Sequence, residues 1–166
     1  MASNPLRRWL ALVLSLQVAL GVIYSLATPI FEASDEIWHY PVVREIVRNR
    51  RLPVQDPGQQ QPWAQEGSQP PLYYLIGAVL TGWIDTADYS QTALLNPFPQ
   101  IGVPGATYNV NLVAHPPRQS PADGGTALAV YLIRWLSILM GTATAWLTFQ
   151  LAWTALPQRP LTALLA

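Results

Sequence analysis

The chain has 166 residues, 51% of them hydrophobic and only 11% charged, against roughly a quarter charged in an average soluble domain. Nine arginines balance nine carboxylates, and there is no lysine and no cysteine. That excludes a basic nucleic-acid-binding stripe, a disulfide scaffold, a zinc–thiolate site and a thiol nucleophile. The composition points to a membrane protein or a piece of one.

All nine carboxylates fall between residues 32 and 123, and the two ends of the chain carry none. From Trp9 to Phe31 run 23 uncharged residues behind Arg7 and Arg8. As a helix they would measure about 35 Å, enough for a hydrocarbon core of about 30 Å. Trp9 and Tyr24 stand near the two ends, where amphipathic rings favour the interface. A cleaved signal peptide is the rival reading, with Arg7-Arg8 as its n-region and Ser25-Leu26-Ala27 as a small-x-small cleavage site. It would leave a secreted domain starting at Thr28. The apolar core exceeds the usual h-region of about 7–15 residues, so a retained span near 8–28 is expected.

Residues 34–51 read as an amphipathic surface helix near 35–50. Ser34 is a candidate N-cap, and Asp35 and Glu36 suit the positive end of the dipole. Trp38, Val42, Val43, Ile46 and Val47 share one face, with Arg44, Arg48 and Arg51 on another, the pattern of an interfacial helix. Pro41 should kink the helix near Ile37 or restart it. Pro70 to Ile84 is apolar for fifteen residues, about 22 Å as a helix. That is too short to span and fits a re-entrant or interfacial segment, or else a core helix of an external domain. Its two leading prolines suit a helix start.

The stretch 86–125 is rich in turn signals and is expected to be irregular. A second span follows over 127–158, with 24 uncharged residues from Trp135 to Gln158 between Arg134 and Arg159. Arg134 belongs at the membrane edge, its long stem reaching the headgroups. The last residues, 159–166, read as a cytoplasmic turn and the opening of a third span, so the chain is expected to be the N-terminal part of a longer polytopic protein. Arg7, Arg8 and Arg159 share one side, which the positive-inside rule puts in the cytoplasm. The expected fold is thus all-α: two transmembrane helices, after the cytoplasmic start in 1–31, joined by an extracytoplasmic loop over 32–126 carrying juxtamembrane helices. The loop's five arginines, at 44, 48, 50, 51 and 118, do not oppose this, because long loops translocate regardless of their charge.

Two constellations could carry chemistry. Asp35 and His39, four apart, would share a helical face. A carboxylate beside an imidazole could act as an oriented general base, or lend two ligands to a divalent metal ion, although no third ligand is evident. The plainer reading is that Asp35 and Glu36 only favour a helix start. The second constellation is Glu66 and Gln69 ahead of Tyr73 and Tyr74, which could offer hydrogen-bonding groups at headgroup level, where tyrosines also serve as anchors. His115, with Asn109 and Asn111 nearby, could contact a ligand or simply lie on a loop. Phosphate-cradling glycine loops, HExxH and GxSxG are absent.

Asp35-Glu36-x-x-His39-Tyr40, the run Gln69-Pro70-Pro71-Leu72-Tyr73-Tyr74, and the later Tyr131 to Gly141 segment together resemble the C-type integral membrane glycosyltransferases. The pattern is similar to the protein O-mannosyltransferase-like and aminoarabinose-transferase-like families, and to related uncharacterised polytopic bacterial proteins. It covers nearly the whole chain except 86–125, which looks like an insertion. The resemblance implies a transferase that moves a sugar from a polyprenyl-phosphate donor to an acceptor hydroxyl on the extracytoplasmic face, in contact with membrane lipids. It implies Asp35 as the catalytic base and Glu36 as its neighbour shaping the acceptor site; His39, Glu66, Gln69 and Tyr73 are the further candidate substrate-binding residues. Aminoarabinose-transferase-like members have a lysine where Gln69 stands. Phosphate recognition here would fall to an arginine or to parts of the protein beyond this chain. The competing expectation is a non-enzymatic envelope protein that binds lipid or carbohydrate on the same scaffold.

Overall fold

The computed structural model describes residues 5–56, 58–117 and 119–156. The expected turn and third-span start over 159–166, together with Arg159, and the loop residue Arg118, lie outside the described residues. The fold is all-α: five helices, no strands among the described residues, and two helices long and apolar enough to cross a membrane. The helices are α1 (Pro5–Ala27), α2 (Glu36–Asn49), α3 (Leu72–Thr81), the short α4 (Tyr89–Thr92) and α5 (Gly125–Ala155). The chain divides into two compact units. One holds α1 and the part of α5 from Arg134 onward; the other is Thr28–Ile133.

In the first unit α1 and the later part of α5 pair antiparallel. Gly21 lies against Ile138, so that a Cβ there would sit 3.0 Å from Ile138 Cγ1, and Gln17 lies against Gly141. Small residues let apolar helices approach this closely. Arg134 Nη1 donates to the Ser25 carbonyl at 2.6 Å, one of the last-turn carbonyls of α1 that no intrahelical N–H can reach. Trp135 Nε1 donates to Ser25 Oγ at 3.2 Å. Thr142, Thr144 and Thr148 donate their hydroxyls to carbonyls four residues back, at 2.8–2.9 Å, which satisfies them in an apolar helix. Almost none of the apolar surface of α1 is covered by protein; Leu12, Leu16, Leu20 and Ile23 are all exposed. A helix apolar all round needs either a core or a bilayer around it.

The second unit is built on α2. The helix starts at Glu36 and runs through Pro41 to Asn49 without a restart. Arg50, left-handed at φ 54°, then ends it by donating its N–H to the Ile46 carbonyl. Its apolar face does not serve a membrane surface, as the amphipathic pattern suggested. Val42, Val43 and Ile46 are buried in a core with Trp63, Tyr74 and Ala78, flanked by Val47, Tyr73 and Ile133. α3 is shorter than the expected 70–84 segment, and Thr81–Ile84 closes as a turn. Its inner face, Tyr74, Gly77, Ala78 and Thr81, follows the i, i+3, i+4, i+7 spacing and is buried. Gly77 brings it close to α2, since a Cβ there would be 3.2 Å from Val43 Cγ2. Its outer face is also apolar and is uncovered: Leu72, Leu75, Ile76 and Val79, with Trp83 just beyond, are exposed, Val79 at 84%.

The 86–125 stretch is mostly irregular, but it holds α4, a 3-10 turn at Pro121–Asp123 and one isolated antiparallel bridge between Leu95 and Val113. Ser120 and Asp123 form a reciprocal capping box around that turn.

Candidate functional site

The connector from Thr28 to Asp35 leads into α2 through two residues in the left-handed region, Phe31 at φ 66° and Asp35 at φ 59°. That conformation is unusual for a bulky side chain and easier for aspartate. Phe31 is fully buried and packs on Tyr40 and Tyr89, with ring centroids 5.7 and 6.2 Å away. Its N–H donates to Glu36 Oε2 at 2.6 Å. Glu36 therefore braces the connector through Oε2.

Asp35, not Ser34, is the N-cap residue of α2, but its side chain makes no capping hydrogen bond. Its backbone carbonyl takes the N–H groups of Trp38 and His39, both at 2.9 Å. Its carboxylate is exposed and, among the described residues, meets only the Ser34 hydroxyl, at 3.4 Å. The neighbouring acids differ. Glu32 is bound to the backbone of Leu112 and Val113, and Asp88 to Thr126. Asp35 stands out as the acid at the start of α2 whose oxygens meet no backbone donor among the described residues.

The expected Asp35–His39 side-chain pair does not form. His39 turns to α3 and to the 3-10 turn Ala64–Ser68: its Nδ1 lies 2.7 Å from the Tyr74 hydroxyl and 3.7 Å from Glu66 Oε2. The His39 and Tyr74 rings stack at 6.0 Å with 27° between planes. Glu66 is 4% exposed. Burial, and then the nearby Glu66 carboxylate, push the Tyr74 hydroxyl up to about 12, so it remains a phenol at any physiological pH. The three groups form one polar cluster at the rim of the core, with His39 partly open to solvent. Such a cluster can fix an imidazole ring and leave Nε2 for a ligand hydroxyl.

Of the other candidates, Gln69 is exposed at the end of the 3-10 turn, where its backbone N–H bonds to the Glu66 carbonyl. Tyr73 is half-buried edge-on to Tyr74, at 5.6 Å. The sequence reading singled out Tyr73, yet Tyr74 is the tyrosine that reaches His39. The signal was there: Gly77 and Ala78 mark the close-packed face of α3, and Tyr74 shares it. His115 is a loop-fastening residue, its Nε2 2.9 Å from Glu32 Oε1. Among the described residues no group of three or more histidines, aspartates or glutamates gathers as a metal site.

No protein family, curated protein or solved structure matches this chain.

Proposed function

We propose that this chain supplies the acceptor-activating loop of an integral membrane glycosyltransferase that uses a polyprenyl-phosphate-linked sugar on the extracytoplasmic face. The observation that carries the reading is the state of Asp35: an uncommitted carboxylate on a left-handed residue, eight residues beyond the last residue of a long apolar helix. Non-glycine left-handed residues are enriched where function demands a fixed geometry. In the reaction the Asp35 carboxylate takes the proton of the acceptor hydroxyl as its oxygen attacks the anomeric carbon. The bond from that carbon to the phosphate oxygen breaks, and polyprenyl phosphate leaves with the electron pair. His39, held by Tyr74 and Glu66, binds the acceptor or the sugar.

In this reading α1 and α5 are the spans, and the outer face of α3 rests in the membrane interface. Leu72, Ile76, Val79 and Trp83 support that placement, because an exposed apolar face on a unit joined at both ends to apolar helices is best covered by lipid. Arg7 and Arg8 put the N-terminal side in the cytoplasm.

The test is Asp35→Asn in the full-length protein with a verified lipid-linked donor. Loss of a general base costs on the order of 10²–10⁴ in rate, with thermal stability unchanged because Asp35 makes no cap bond. Wild-type turnover in that variant would overturn the assignment. A wild-type protein that binds lipid or carbohydrate without transferring sugar would instead favour the envelope-binding reading. Single cysteines at positions 56 and 90 test the topology, since the chain has none of its own. Both should react with an impermeant reagent only from outside.

A further inference from the structure

The second unit contains a cavity of about 180 Å³ between α2, the Pro62–Trp63 corner and α4. At ~30 Å³ per water molecule that is room for about six waters, and for a tetrahedral anion in their place. Arg44 and Arg48, one helical turn apart, both line it, with Asn49, Glu45, Trp63 and Tyr89. We propose that this cavity is a binding site for a phosphate-ester group, held by the Arg44 and Arg48 guanidiniums.

Among the described residues neither arginine is in an ion pair, and two like charges four residues apart weaken a helix. The rim's one carboxylate, Glu45, is committed elsewhere: Oε1 accepts from Arg51 Nε at 3.1 Å and Oε2 from Asn49 Nδ2 at 2.7 Å. Arg44 is pre-set, its guanidinium carbon 4.3 Å from the centre of the Tyr89 ring, a stacking that orders the planar group before any ligand arrives. Its Nε is buried and has no hydrogen-bond partner among the described residues. An anion with oxygens on several faces can serve both guanidiniums at once, and a dianionic phosphate monoester also matches their combined charge. Trp63 and Pro41 supply apolar wall for the ester carbon. This inference stands on the arginine pair and does not rest on the transferase reading.

Such a group reaches the cavity either on a lipid or as a soluble phosphate. The full chain in phosphatidylcholine nanodiscs, with or without phosphatidic acid, separates the two by calorimetric titration with inorganic phosphate. Binding is expected in the phosphatidylcholine discs. It should weaken by about tenfold or more in Arg48→Gln, as for a lost charge-assisted bond, and stay unchanged in Arg50→Gln. Arg48 is exposed, so its variant tests recognition without risk to the fold; Arg44→Gln should lose at least as much. If phosphatidic acid abolishes the phosphate signal, the ligand is a lipid headgroup; if the signal persists, it is a soluble phosphate. Absence of binding, an equal loss in Arg50→Gln, or acetate binding as well as phosphate would overturn the proposal.

Discussion

Asp88 Oδ1 accepts two hydrogen bonds from Thr126, one from the backbone N–H at 3.0 Å and one from the hydroxyl at 2.7 Å. Thr126 is fully buried and is the second residue of α5, so its N–H has no partner within the helix. Asp88 precedes α4, yet its side chain does not cap that helix. It caps α5 instead and sets a negative charge at the positive end of the dipole. Gly125 makes room for it: φ is +56°, and a Cβ would lie 2.7 Å from Asp88 Oδ2.

Removing this carboxylate should therefore be costly. Asp88→Ala leaves the buried Thr126 N–H without an acceptor, and we expect a loss of about 1–3 kcal/mol. Asp88→Asn keeps one acceptor oxygen and should lose less. Thermal unfolding of the two variants checks the order, and equal stability with wild type would show that the cap contributes nothing.

Glu32 fastens the irregular loop. Its Oε2 accepts from the Leu112 N–H, and its Oε1 from the Val113 N–H, both at 3.0 Å, and from His115 Nε2 at 2.9 Å. Gln119 Nε2 lies 2.8 Å from His115 Nδ1, consistent with His115 carrying its proton on Nε2. Glu32→Gln replaces one acceptor oxygen by an amide that faces a backbone donor. Amide exchange at Leu112 and Val113 should then speed up, with about 1–3 kcal/mol lost. Unchanged protection at both amides would contradict the fastening role.

Alkaline pH should unfold the second unit through its tyrosines. Burial pushes the Tyr40 hydroxyl up to about 12 from 10, with Asp88 adding to the rise and Thr86, Arg44 and Thr126 opposing it. A raised folded value means that the unfolded chain releases this proton first. The stabilisation is complete below pH 10 and is lost progressively as pH climbs to about 12. At about 1.4 kcal/mol per unit the loss amounts to roughly 3 kcal/mol. Tyr74 and Tyr89, also raised, act in the same direction. Melting curves across this range should fall steeply for wild type and less steeply for Tyr40→Phe; parallel curves would refute it.

Local sequence determined the helices themselves. Long uncharged runs mark most of α1 and α5, although Arg7 and Arg8 lie in the first turn of α1 and Arg134 lies inside α5; the 3.6-residue spacing of apolar groups marks α2 and α3. The same spacing could not say what each apolar face meets. Val42, Val43 and Ile46 would look identical against lipid or against protein, and only packing on Gly77 and Ala78 assigns them to a core. Nor could it give the role of each acid. Asp35 and Glu36 are adjacent and chemically alike, yet one bonds to Phe31 and the other, among the described residues, meets only the Ser34 hydroxyl, because Asp35 takes a left-handed backbone. His39 meets Tyr74, 35 positions further along the chain, and Glu32 meets His115, 83 positions further. Such pairings depend on how the connectors fold back, and local propensity carries no information about partners that far along the chain.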